Sequence, residues 1–179
     1  MNLRTHYQDE VAPTLMKEFG LTNLMAVPKV HRVVVNIGLK EAVSDKGILE
    51  KTSGWLGTIT GQKPKITRAK LSIAAFKVRA GDAVGLAVTL RGQRMYDFLN
   101  KLFNIVLPRV RDFQGVSTTA FDKKGNYTLG LTEQIVFSEI EYSQIDKVRG
   151  LEITLVTNAG DVKISRRLLE LLGMPFKKD

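Results

Sequence analysis

A regular alternation along Val84–Arg91 constrains the fold of this chain more than any other feature of its sequence. Side chains on a strand point alternately to two faces. Here the aliphatic residues fall on one face and small or polar residues on the other, namely Gly85, Ala87, Thr89 and Arg91. The segment Val30–Gly38 repeats the pattern, with Arg32 and Asn36 opposite a row of valine and isoleucine. Strands that are apolar on one face only are typical of an antiparallel sheet with one covered face.

Helical periodicity surrounds these strands. Apolar residues recur at helical spacing in residues 2–19, 46–60, 94–107 and 162–172. Pro13 is expected to kink or split the first of these helices, and Pro108 to end the third. Further strand patterns cover residues 65–68, 127–131, 134–137 and 151–157. We therefore predict an α+β fold with a mostly antiparallel sheet, helices packed on one face and the other face free. It forms a single domain over residues 1–179, with a protruding loop at about 68–84.

Positive charge is concentrated in the middle of the chain. The formal net charge is +9, and residues 61–111 carry the whole excess, with 11 basic and 2 acidic side chains. Between Gly61 and Gly81 there is no acid, and the six cations are Lys63, Lys65, Arg68, Lys70, Lys77 and Arg79. A surface kept only for solubility normally intersperses both signs. The cluster therefore favours a polyanionic partner such as nucleic acid.

The free face of the sheet offers polar side chains to such a partner. If both apolar rows face the helices, Arg32, Asn36, Thr89 and Arg91 meet on one surface. Two small residues beside them are expected to leave the backbone open to close approach. Amide and hydroxyl groups both donate and accept hydrogen bonds, which suits the 2′-hydroxyl groups of RNA. The alternative is an ordinary solvated sheet face, which amphipathic strands commonly have.

The segment 72–82 mixes apolar residues with the cations Lys77 and Arg79. One interpretation is a mobile loop whose cations reach a second anionic partner. The other is an ordinary hairpin with Phe76 in the core. The residues alone do not decide between these two structures.

The residues give no positive sign of catalysis. His6 and His31 are the only histidines, and neither belongs to a triad or a zinc motif. The stretch Gly57–Lys63 lacks the spacing of a phosphate-binding loop, the acidic residues are dispersed, and there is no cysteine. We therefore expect no enzyme, no metal and no cofactor. No apolar run approaches the roughly 18 residues of a membrane-spanning helix, so a membrane is not an expected partner.

A series of motifs runs through the whole chain. In order, they are Leu56–Pro64, Thr67–Lys70, Ala75–Arg79, Val88–Gly92, Pro108–Phe113, Gly125–Tyr127, Glu133–Phe137, Arg149–Leu151 and Pro175–Lys178. Together they resemble the bacterial-type large-subunit ribosomal proteins that bind 5S ribosomal RNA in the central protuberance, the uL5 family. Lys65 departs from the family pattern, which usually has an apolar residue there. This departure predicts an exposed strand or an added phosphate contact.

The resemblance implies a noncatalytic structural protein that attaches 5S ribosomal RNA to the large subunit. It implies RNA contacts from Asn36, Gln62, Thr89 and Arg91, supported by Arg32, Lys63, Thr67, Arg68 and Lys70. It also implies that the loop 72–82 reaches the transfer RNA in the peptidyl site, where the candidate contacts are Ser72, Phe76, Lys77 and Arg79. The family further forms a bridge to a protein of the small-subunit head, which we expect to involve the middle and C-terminal loops.

The implied partners follow from that role. They are 5S and 23S-type ribosomal RNA, peptidyl-site transfer RNA, neighbouring large-subunit proteins and a small-subunit head protein, with neither a membrane nor a small-molecule substrate. The expected location is the ribosome of a bacterial cytoplasm or of an organelle matrix. From the residues alone, two other functions stay open. A nucleic-acid-processing enzyme would need a cluster of metal-binding carboxylates, and a free regulatory RNA- or DNA-binding module would not sediment with the large subunit.

Overall fold

The structure is a computed structural model that describes residues 2–43, 45, 47–140 and 146–177. Its α-helices are α1 (Leu3–His6), α2 (Ala12–Phe19), α3 (Gly47–Thr60), α4 (Gly92–Lys101), α5 (Leu107–Arg109) and α6 (Val162–Leu171). Its strands are β1 (Val30–Gly38), β2 (Lys65–Arg68), β3 (Ala83–Leu90), β4 (Tyr127–Leu131) and β5 (Leu151–Thr157). The strands form one antiparallel sheet in the order β2-β3-β1-β5-β4, which confirms the predicted α+β fold.

The described residues fall into two compact units. The first contains those of 1–33, 91–129 and 154–179, and the second contains those of 34–90 and 130–153. Within the described residues, no helix is both long and apolar enough to cross a bilayer. The last residue of the motif Pro175–Lys178 and the predicted first residue of α3, Lys46, lie outside the described residues.

Alternating burial confirms the strand patterns that the sequence predicts. Along β1, the residues Val33, Val35 and Ile37 are buried, whereas the residues between them are half-buried. Burial also alternates along β5 from Leu151 to Thr157. In the second unit, α3 buries the four side chains that the sequence assigns to its apolar stripe, namely Leu49, Thr52, Leu56 and Ile59. The core of this unit therefore lies on one side of its strands.

Two prolines in the first unit follow π-helical segments. Tyr7–Val11 precedes Pro13, and Leu102–Val106 precedes Pro108. In each case the N–H of the residue before the proline donates to a carbonyl five positions earlier, as Leu107 does to Leu102. The backbone stays helical through Val11 and Ala12, so the helix continues through Pro13 with a π-helical segment before it and is not split there. The prediction that Pro108 ends the helix is wrong, because the wider turn accommodates the proline ring and the helix continues to Arg109.

The strand predicted over residues 134–137 is also wrong. This stretch is a 3₁₀ turn, Gln134–Val136. The buried Gln134 carboxamide donates to the carbonyl of Lys147 at 2.8 Å and accepts from the backbone N–H of Arg149. The amide therefore replaces the ladder bonds that a strand would have made.

Candidate nucleic-acid interface

The second unit presents an open sheet face, which we define by Asn36, Lys65, Thr67, Thr89 and Glu152. Cross-strand partners share a face, and the pairs Lys65↔Ala87 and Thr67↔Gly85 place β2 and β3 in register. None of the five defining side chains is buried, whereas Ile37, Leu86 and Val88 on the other face are. The expected arrangement of one covered and one uncovered face is therefore present in this unit.

A hydrogen bond between neighbouring strands holds one predicted RNA contact in place. Asn36 Nδ2 on β1 donates to Glu152 Oε2 on β5 at 3.1 Å. Sequence reasoning did not select Glu152. Because side chains alternate along a strand, its position between the apolar residues Leu151 and Ile153, which are both buried, predicts that Glu152 lies on the open face. Its proximity to Asn36 depends on β5 lying beside β1, which no local pattern reveals.

A second predicted contact is fixed at the end of β3. Gln62 follows Gly61, whose φ of +65° in the left-handed region takes the chain out of α3. The half-buried Gln62 side chain donates from Nε2 to the carbonyl of Thr89 at 3.2 Å. Lys63 comes next and is exposed. Gln62 and Thr89 thus lie together, although they are 27 positions apart in the sequence.

The structure differs from expectation at Gly85. The small residues of β3 are predicted from the sequence to leave the backbone open to a ligand. Gly85 is instead buried, and a Cβ atom at this position would overlap the carbonyl oxygen of Ile37 and lie 3.0 Å from Thr67 Oγ1. The missing side chain therefore makes room for β1 of the same protein rather than for RNA.

The register of β2 shifts between two residues that the sequence assigns to one site. Thr67 pairs with Gly85 on the face of Thr89, but the regular pairing breaks directly after it, and Arg68 pairs with Ala83. The Arg68 guanidinium donates to the carbonyl of Gly81 at 2.8 Å. Arg68 therefore braces the base of the following loop, and the exposed Lys70 lies in that loop.

Two further predicted RNA contacts belong to the first unit. Arg32 is half-buried on β1. Arg91 is exposed and extended directly after β3, where it precedes α4. Sequence reasoning did not select two hydroxyl groups of this unit, those of Thr128 and Thr154, which lie 3.2 Å apart across β4 and β5.

The basic loop, which we define as residues 69–82, is ordered by its own hydrogen bonds. At its base, Ala69 donates to Asp82 and Gly81 donates to Ala69, each at 2.9 Å. Further out, Ser72 Oγ accepts from the N–H of Ala80 at 2.9 Å. The hydroxyl of Ser72, a predicted transfer RNA contact, thus also supports the loop.

At the tip of the basic loop, the exposure of Phe76 rules out the predicted alternative of a hairpin with this residue in the core. Ile73 and Val78 form an isolated bridge around the 3₁₀ turn Ala74–Phe76, and Phe76 is 59% exposed. Lys40 Nζ lies 5.8 Å from the centre of the Phe76 ring. Lys77 has a positive φ of 54°, and Lys77 and Arg79 are both exposed. The tip therefore combines cations with an uncovered aromatic ring.

An apolar cleft of about 630 Å³ lies beside this loop. Its walls include Leu39, Ile73, Phe76 and Val84. Leu71 also lines it and is 76% exposed. The basic loop is therefore apolar on its inner side as well as basic on its surface.

Ion pairs lower the pKa of one carboxyl group in the second unit, that of Glu41. Glu41 Oε1 accepts from Lys147 Nζ at 2.5 Å, and the Arg149 guanidinium lies 2.8 Å from Glu41 Oε2 as an ion pair. The bonds from Lys147 and Arg149 hold the pKa of the Glu41 carboxyl below its ordinary value. No cluster of three or more His, Asp or Glu side chains that could hold a metal ion occurs in the described part of the chain. The Glu41 carboxylate thus belongs to a structural group of ion pairs.

Comparisons with known proteins match nearly the whole chain. The family model "Ribosomal protein L5" matches residues 23–79, and the model of the C-terminus of the same ribosomal family matches residues 83–176. The chain is 58% identical over 176 residues to large ribosomal subunit protein uL5 of Desulfatibacillum aliphaticivorans, covering 98% of each chain. It is 55% identical over 176 residues to the protein of the same name from Desulforamulus reducens, covering 98% of this chain and 97% of the relative. For the Chloroflexus aurantiacus protein of that name, the identity is 54% over 177 residues, covering 99% and 98%.

Proposed function

This chain belongs to the ribosomal protein L5 family, and we propose that it binds 5S ribosomal RNA through the open face and peptidyl-site transfer RNA through the basic loop. As a member of that family it is a structural component of the large ribosomal subunit and not an enzyme. It acts in the cytoplasm as part of the ribosome. The resemblance derived from its motifs is thereby confirmed at the level of the family.

The observation that carries the 5S RNA assignment is the preorganisation of two carboxamides. Asn36 is held by Glu152, and Gln62 is held by the carbonyl of Thr89. A side chain that is already ordered loses less entropy when it binds. Neutral donors and acceptors set the register of a nucleic acid, whereas cations mainly neutralise its phosphates. Lys63 and Lys65 supply such cations within the second unit.

The basic loop supports the transfer RNA assignment in a different way. Lys77 and Arg79 are exposed at a tip whose backbone is already ordered. Phe76 offers a ring face on which a base or a ribose can pack. Cations beside an exposed aromatic ring are suited to a folded RNA backbone. In the same proposal, the remaining partners are 23S-type ribosomal RNA, neighbouring large-subunit proteins and a small-subunit head protein.

The direct test is a titration of the purified chain with 5S RNA, in competition with unrelated ribosomal RNA fragments. Asn36→Ala and Thr89→Ala are each expected to weaken 5S binding by about 1–3 kcal/mol, the cost of leaving polar groups unpaired in an interface. The matched controls are Asn104→Ala and Thr14→Ala, which remove the same groups from helical surfaces of the first unit. These controls should bind as the wild type does.

Two results would contradict the proposal. Wild-type affinity in both Asn36→Ala and Thr89→Ala would remove the open face from the RNA site. A chain that stays in the soluble fraction, when large subunits depleted of it are sedimented, would point to a free regulatory role instead.

A further inference from the structure

Glu152 places a negative charge on the surface proposed to bind RNA. It is exposed on the open face beside Asn36. A carboxylate and a phosphate are both acceptors of hydrogen bonds, and they repel each other. A surface that bound only phosphates would lose affinity through this side chain. Its presence therefore indicates something other than a phosphate at this point of the interface.

No ion pair within the described residues neutralises Glu152. The contrast is clear with Glu41, which two cations hold, and with Glu18 of the first unit, which Arg167 holds at 2.6 Å. The bond from the neutral Asn36 amide is directed to Oε2. An ionised carboxylate has about four lone-pair sites. Glu152 therefore retains acceptor capacity for a ligand.

The same hydrogen bond determines how Asn36 presents its carboxamide. A carboxylate can only accept, so the amino group of Asn36 must face Glu152, and Asn36 Oδ1 must be turned away from it. Without this neighbour, the two ends of the amide could exchange by rotation about the last side-chain bond. Glu152 thus makes Oδ1 of Asn36 an acceptor with a defined direction.

We propose that Glu152 is a specificity-determining residue that accepts a hydrogen bond from a donor group of the bound RNA while it orients Asn36. The donor is a base N–H group or a ribose 2′-hydroxyl, since phosphates carry none. Carboxylates accept from exocyclic amino groups of bases, and the 2′-hydroxyl is a donor that only RNA has. This inference rests on the proposed binding of 5S RNA by the open face. It means that RNA binding also requires a hydrogen-bond acceptor at this position, which cations do not provide.

The direction in which one substitution changes RNA affinity distinguishes this role from that of a solvated surface residue. Glu152→Gln removes the charge but keeps an oxygen that can accept from Asn36. If Glu152 were only solvated, the loss of repulsion would tighten RNA binding. If it accepts from an RNA donor, affinity for 5S RNA should fall by about tenfold or more, the worth of a hydrogen bond to a charged group. The matched control is Glu133→Gln, an exposed glutamate of the same unit, which should leave affinity unchanged or slightly raised.

A second measurement identifies the RNA group. Full-length 5S transcripts carry inosine in place of guanosine, or 2′-deoxynucleotides, at random positions, and bound molecules are separated from unbound ones. With the wild-type chain, either the missing amino group or the missing hydroxyl should interfere with binding at a defined position. With Glu152→Ala, that interference should disappear, because coupled groups are not additive. Interference that is equal in both proteins would overturn the proposal.

Failure of the inference is distinguishable from failure of the proposed function. If Asn36→Ala and Thr89→Ala bind as the wild type does, the open face is not the RNA site and both ideas fall. If those variants bind weakly while Glu152→Gln binds more tightly than the wild type, only the role of Glu152 is wrong. Glu152→Asp, which keeps the carboxylate on a shorter chain, should recover part of the lost affinity. Unchanged circular dichroism establishes that each variant is folded.

Discussion

The open face and the basic loop belong to the same unit and use opposite means of meeting an anionic polymer. Asn36 on the open face is uncharged and is held by a hydrogen bond to Glu152, and the uncharged Gln62 is held by the backbone of Thr89, which belongs to that face. Among its five defining residues, Lys65 and Glu152 carry opposite charges. The face therefore has no net charge of its own and can act mainly through the direction of its donors and acceptors.

The basic loop has the reverse balance. Lys70, Lys77 and Arg79 are exposed, whereas its single acid, Asp82, accepts from the backbone N–H of Arg79 at 2.7 Å. Its hydrogen bonds order the backbone and leave the long cationic side chains in solvent. Charge of this kind gives affinity that falls steeply with salt, whereas directed neutral groups give register. A high local charge therefore does not mark the part of the surface that discriminates between RNAs.

The largest effect is expected from Gly85→Ala, which would break the open face without touching the loop. The added methyl group would overlap the carbonyl oxygen of Ile37, so β3 must move away from β1. Overpacking of this kind costs about 1–3 kcal/mol of unfolding free energy, and 5S RNA affinity should fall with it. Urea unfolding and RNA titration measure the two quantities.

The matched control for that variant is Gly130→Ala on β4. Gly130 has no positive φ, and nothing lies within 4 Å of the position that its Cβ would take. Gly130→Ala should therefore unfold at a urea midpoint close to that of the wild type. Equal stability of the two variants would show that β1 does not press on Gly85.

A double charge reversal, Arg68→Glu with Lys70→Glu, tests whether the base of the basic loop also contributes to 5S binding. Affinity should fall and the salt slope should flatten, by about 0.7–0.9 for each phosphate that the variant no longer neutralises. Asn36→Ala should instead lower affinity at an unchanged slope. Since Arg68 also bonds Gly81, Arg68→Lys with Lys70→Arg serves as the control that keeps the charge. A reversed variant with the wild-type slope would confine 5S binding to the open face.

A smaller effect on 5S RNA, but a clear one on transfer RNA, is expected from Lys77→Ala with Arg79→Ala. These side chains are exposed and remote in sequence from Asn36 and Thr89, so 5S affinity should stay within about 0.5 kcal/mol, as for surface changes in general. Retention of transfer RNA in the peptidyl site of reconstituted ribosomes should decrease. Loss of 5S binding in this variant would remove the distinction between the two surfaces.

The sequence was sufficient for the strands with one buried face, because a period of two directly determines which side chains are covered. It also placed Leu49, Leu56 and Ile59 on the buried stripe of α3. The sequence did not predict the structure correctly over residues 134–137, where hydrogen bonds from one side chain take the place of the backbone bonds of a strand. Gln134 has an apolar neighbourhood typical of a strand, but its amide binds the backbone of Lys147 and Arg149 and the chain turns.

For the site, residue types were predictable and their grouping was not. Asn36, Gln62 and Thr89 stood out as neutral hydrogen-bonding groups. The break in regular pairing between Thr67 and Arg68 depends on the register of β2 against β3. That Glu152 meets Asn36 depends on the order of strands far apart in the chain. Both are non-local pairings, and a composition of cations without acids between Gly61 and Gly81 carries no information about them.

The smallest effect is expected from acid, and it should act on the surroundings of the loop rather than on the open face. Lys147 and Arg149 lower the pKa of Glu41, so the folded state holds this proton less tightly than the unfolded state does. The stabilisation is complete above the ordinary pKa of 4.5 and is lost as the pH falls through the lower folded value. Glu41 adjoins Lys40, which lies over the Phe76 ring. Glu41→Gln should therefore reduce the loss of stability between neutral and acid pH, measured by urea unfolding, while 5S binding at neutral pH stays as in the wild type.

Glu18→Gln offers the parallel case in the first unit, where Arg167 lowers the pKa of Glu18. An acid transition that is unchanged in Glu41→Gln but shifted in Glu18→Gln would assign the pH dependence to the first unit alone.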